Sequence, residues 1–159
     1  MDSQEKLNIA ALLAAGLMTY AEASTWAESK LTSSSSNDAA CLSEFILAAS
    51  NSSTLAHDLV LRLEQGVSGS RYIAVALVAK RCLKALEGGQ VKAEEAFAQL
   101  QGAVSVLGLN PKHQSLFNHV AGELSAWPHN MQPYGEITGE LIPRLFRNVA
   151  EHEEGTGPT

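Results

Sequence analysis

Between Arg71 and Lys80 the chain runs through eight consecutive apolar residues, Tyr72-Ile73-Ala74-Val75-Ala76-Leu77-Val78-Ala79. No other feature constrains the fold as strongly, because such a run has no polar side to turn toward water. It is far short of the ~20 residues that a membrane-crossing helix needs. A strand is the rival of a helix here, since Tyr, Ile and Val favour sheets. A strand must find partners for its backbone N–H and C=O groups, and no second segment is rich enough in β-branched and aromatic residues to provide them. The spacing therefore predicts a helix through "RYIAVALVAKRCLKALEGG", the central and most buried helix of the fold. Lys80, Arg81 and Lys84 fall in its C-terminal half, where cations favour the helix dipole.

The rest of the core has to be built from small aliphatic side chains. Of 159 residues 45% are hydrophobic but only 6% aromatic, and alanine is abundant. Alanine is the best helix former and is depleted in strands. A chain of this length holds one core, so the expectation is a single domain over 1–154 with a disordered tail at 155–159.

"LNIAALLAAGLMTYAEAS", residues 7–24, admits two readings. It has the apolar length of a secretory leader, and Ala21-Glu22-Ala23 offers a cleavage pattern. The start "MDSQEK" lacks the positive charge a leader requires, and the letters fit a helical hairpin better. Asp2 and Glu5 are spaced as a capping box, and Leu7, Ala10, Ala11 and Ala14 form a stripe. Gly16 suits a left-handed helix stop, and Thr19 with Glu22 forms a second capping box. Tyr20, Ala23, Trp26 or Ala27, and Leu31 continue the pattern. The hairpin reading places the protein in the cytoplasm and leaves Cys41 and Cys82 as reduced, buried thiols.

Further helices follow from the same punctuation. Cys41, Leu42, Phe45, Ile46 and Ala49 mark one, and Leu55 to Leu63 another that ends at Gly66. Ala93, Ala96, Phe97, Leu100, Val104 and Leu107 mark the next, with Glu94 and Glu95 at its positive end. Asn110-Pro111 reads as an N-cap followed by proline in the first turn, opening a helix with Leu116, Phe117, Val120, Ala121 and Leu124. After "AWPHNMQPYG" a last helix runs from about Tyr134 to Glu153 through Ile137, Leu141, Leu145 and Val149, kinked or split at Pro143. The expected fold is all-α: an irregular single-domain bundle of about eight helices, or alternatively a stack of helical hairpins.

Little in this sequence points to chemistry. The net charge of −6 argues against nucleic-acid binding, which needs a basic face. The charge is uneven, with a basic centre and acidic flanks. No phosphate loop, zinc-protease or nucleophile-elbow motif occurs. Of His57, His113, His119, His129 and His152, only His119 pairs at helical spacing with another ligand type, Glu123. A third ligand would have to come from His129 or elsewhere, so the histidines read as solvated or capping. No cofactor and no metal site is expected. Two surface features remain as partner-binding candidates: the segment with Trp127, His129, Met131 and Tyr134, rich in hot-spot residue types, and the edge formed by Lys80, Arg81 and Lys84. Each has a plain alternative, the first as a plug for the end of the bundle and the second as a solvated helix end.

"AALLAAGLMTYAEASTWAESKL" resembles the opening of small, uncharacterised all-helical proteins of bacteria, some of them of immunity type. The resemblance covers under a fifth of the chain. It implies a non-enzymatic module that binds another protein, an immunity-type inhibitor of a basic toxin being one form, and it assigns no site residue. The other readings are a small-molecule or lipid-binding bundle and a metal-dependent enzyme using His119 and Glu123. Oligomeric state is left open.

Overall fold

The computed structural model describes residues 3–31, 68–126 and 133–151. Six helices occupy nearly all of them, and no strand occurs among the described residues. These are α1 (Ser3–Ala15), α2 (Tyr20–Leu31), α3 (Ser68–Glu87), α4 (Ala93–Leu107), α5 (Pro111–Ser125) and α6, which begins with Tyr134–Glu136, widens into a π turn at Ile137–Leu141 and continues as Ile142–Ala150. Six helices thus stand among the described residues, where the sequence also predicts six. The helices expected around 41–49 and 55–65, Asp2 and the tail at 155–159 lie outside the described residues.

The junctions form for the reasons legible in the letters. Gly16, at φ +76°, ends α1: its N–H donates to the Leu13 carbonyl (3.1 Å), and the Leu17 N–H reaches back to the Leu12 carbonyl (2.9 Å). That pair of bonds is a Schellman stop, and the left-handed conformation is one that a side chain would strain. Thr19 and Glu22 then start α2 as a reciprocal box. The Thr19 backbone N–H donates to Glu22 Oε1 and the Glu22 N–H donates to Thr19 Oγ1, both at 3.1 Å. At α5 the Asn110 side chain accepts from the Lys112 N–H (3.1 Å) with Pro111 in the first turn.

One apolar cluster draws residues from all six helices. α3 packs against α1, α4 and the C-terminal part of α6, α1 also packs along α4, and α5 lies against α6. The Tyr72–Ala79 run is helical and none of it is exposed. It is nevertheless not the most enclosed element. Every residue of α1 from Gln4 to Ala15 is buried or half-buried, whereas α3 exposes Lys80, Arg81, Lys84 and Glu87. The reason lies in "IAALLAA" at 9–15, which is apolar on all sides rather than along one stripe, and a helix without a polar face has to be enclosed.

Small side chains let α1 and α4 approach closely. A methyl group on Gly102 of α4 would run into the backbone carbonyl of Ala14. On α2, Ala23 and Ala27 are fully buried while Trp26 is half-buried, which settles which of residues 26 and 27 faces the core. Phe97 and Phe117 join α4 to α5, with ring centroids 5.2 Å apart and planes tilted by 38°.

Glu5, expected to form a capping box with Asp2, which lies outside the described residues, reaches across the hairpin: its Oε1 accepts from the Trp26 indole N–H (2.8 Å) and pairs with Lys30 Nζ (2.9 Å), so that it clamps α1 to α2. The last helix changes character beside Pro143. The distortion stands ahead of it, as the π turn in which the Ile142 N–H reaches back five residues to the Ile137 carbonyl, and Pro143 is the second residue of the regular helix that follows.

Candidate partner-binding surface

α3 and α4 run antiparallel through the short turn at 88–92, and Cys82, whose Sγ donates to Gln99 Oε1 (3.4 Å), marks their register. Residues after Cys82 on α3 therefore lie level with residues before Gln99 on α4. Lys84 stands near the turn end of the pair, and Lys80 and Arg81 lie about one turn further from it. All three are exposed, as a cationic edge at a helix C-terminus is expected to be.

Tyr134 is brought to that same end. Its hydroxyl donates to the carboxylate of Glu94 in the first turn of α4, and this bond, together with partial desolvation, raises the phenol above its ordinary pKa of 10.0. The structure thus joins two features that were separate in the sequence, the start of α6 and the α3–α4 turn. Trp127, His129 and Met131 lie outside the described residues.

The charge at this end is mixed. Lys84 and Lys92 are exposed there, but so are Glu87 and Glu95, with Glu136 two residues beyond Tyr134. Across the described residues ten carboxylates and ten Lys or Arg side chains balance each other.

A second feature lies at the opposite end of α3. Tyr72 and Val75 from α3, Leu109, Asn110 and His113 from the α4–α5 junction and Val149 from α6 line a shallow cleft. It is nowhere wide enough to seat a water molecule. Asn110 and His113 are both buried. His113 was expected to be solvated or capping. It turns inward instead, because in the first turn of α5 it falls on the same face as Phe117 and Val120.

His119 is exposed on α5 while Glu123, one turn on, is only 8% exposed. Among the described residues no three His, Cys, Asp or Glu side chains come together as metal ligands. His57, His129 and His152 lie outside the described residues, as does Cys41. Burial pushes the Cys82 thiol up to about 12, so at neutral pH it is protonated and packs as a small hydrophobe. Among the described residues no helix is long and apolar enough to cross a membrane. No known family model, curated protein or solved structure matches the chain.

Proposed function

We propose that this chain is a non-enzymatic protein-binding module, an irregular single-domain helical bundle over 1–154 that works in the cytoplasm, and that its partner is a basic protein of the kind an immunity-type inhibitor neutralises. The observation that supports this most is the separation of charge. Along the sequence a basic centre stands between two acidic flanks, and the whole chain carries −6. Surplus charge of one sign accelerates encounter with a partner of the other sign and suppresses capture of acidic proteins. Tyr134, held by Glu94, together with Lys84, Lys80 and Arg81, forms the part of the candidate surface that the helices position, with Trp127, His129 and Met131 adjoining it in sequence.

Co-expression tests the reading. Reading frames adjacent to this one are expressed singly and together with it, and growth is followed. The proposal expects one neighbour, basic in composition, to be toxic alone and harmless with this chain. If no neighbour is toxic, or if toxicity is not relieved, the immunity form of the proposal is wrong.

A further inference from the structure

We propose that the π turn of α6 and Pro143 are a coupled pair, in which one additional residue in the helix lets a proline stand inside it while the core stripe on both sides stays in register. In a regular α-helix the ring of Pro143 would meet the carbonyl of Gly139, four residues back, and would leave that carbonyl without its N–H. In α6 the ladder has already left α register before the proline is reached, since the Ile142 N–H pairs with Ile137. Pro143 then occupies the second position of a fresh α-helical segment, where an N–H is not required.

The same residue corrects the rotation. At about 100° per residue, Ile142 in a regular helix would stand about 140° around from Ile137. Both are fully buried, as are Leu145 and Phe146, with Leu141 and Val149 nearly so. Removing one position from 138–140 would convert the spacing of this set to i, i+3, i+4, i+7, i+8 and i+11, the pattern of a straight amphipathic helix. The turn therefore absorbs one residue beyond what the core face needs. Gly139 is the position to remove, because it is exposed and a side chain there would touch nothing within 4 Å.

The coupling is tested by thermal melting of four full-length proteins: the parent, a Gly139 deletion, Pro143→Ala, and the two changes combined. Pro143→Ala serves as the reference for loss of the ring alone. Deletion of Gly139 by itself closes the wide turn and drives the Pro143 ring onto the Thr138 carbonyl, lowering Tm by about 10 °C. The combined variant recovers at least half of that fall, because a continuous α-helix then has both its ladder and its stripe. A deletion variant that melts with the parent, or a combined variant that melts no higher than the deletion alone, would overturn the proposal.

Discussion

Gly102 sits where α4 crosses α1, and the methyl of an alanine there would meet the Ala14 carbonyl rather than a side chain able to swing away. Helix propensity alone favours alanine by about 1 kcal/mol, so the sign of the effect separates packing from propensity. Gly102→Ala is expected to destabilise by about 1–3 kcal/mol, while Gly122→Ala on α5, with open space around it, stabilises by up to about 1 kcal/mol. Urea denaturation of both variants checks the pair. Glu5 gives a second residue-level prediction. The Trp26 hydrogen bond, followed by the Lys30 hydrogen bond and charge, holds its carboxyl below the ordinary 4.5. A depressed carboxylate contributes its stability fully above the unfolded pKa and loses it as pH falls through the folded value. Glu5→Gln therefore flattens the decline of Tm between pH 5 and 3 relative to the parent, by a small amount, because the pair is about one-third exposed. The caps at Thr19, Glu22 and Asn110 could be read from the letters, because a cap is a contact between residues two or three apart. Gly102, the inward turn of His113 and the reach of Glu5 to Trp26 could not, since each depends on which helix lies alongside.

At the scale of elements, periodicity found all six described helices and most of their buried faces, from Ala93 to Leu107 on α4 and from Ile137 to Val149 on α6. It ranked them wrongly. α3 was legible as central because polar residues bracket its apolar run, while α1 hides the same property behind a mixture of Ala and Leu that also reads as a stripe. The π turn left no trace in the letters except Pro143, because widening a helix by one residue alters spacing only between its two halves. The enclosure of α1 has a direct consequence. Leu7, Leu12 and Leu13 are all buried, and each such side chain contributes about 1.5–3 kcal/mol, a sum comparable to the ~5–15 kcal/mol net stability of a whole domain. A variant lacking residues 1–23 loses these together with the cover of α3 and α4. Differential scanning calorimetry is expected to find no cooperative transition in it, and a Tm equal to that of the parent would remove α1 from the core.

For the molecule as a whole, fold class followed from composition and periodicity, while the surface did not. Helix formation and burial are decided by residue types along one segment, whereas a binding surface depends on which ends meet in space, as Tyr134 and Glu94 do. The uneven charge, a basic centre between acidic flanks, is legible in the letters alone. The claim that rests on it is electrostatic capture of a basic protein, and it has a salt dependence, because screening shortens the reach of charge to about 3 Å at 1 M. The most direct measurement is affinity capture with the full chain from cells of its source, at low salt and again at about 0.5 M salt, followed by identification and quantification of the bound protein. The account predicts one basic protein bound in stoichiometric amount at low salt and largely released at high salt. The absence of any stoichiometric protein at low salt, or a partner that is acidic and held equally at both, would contradict it.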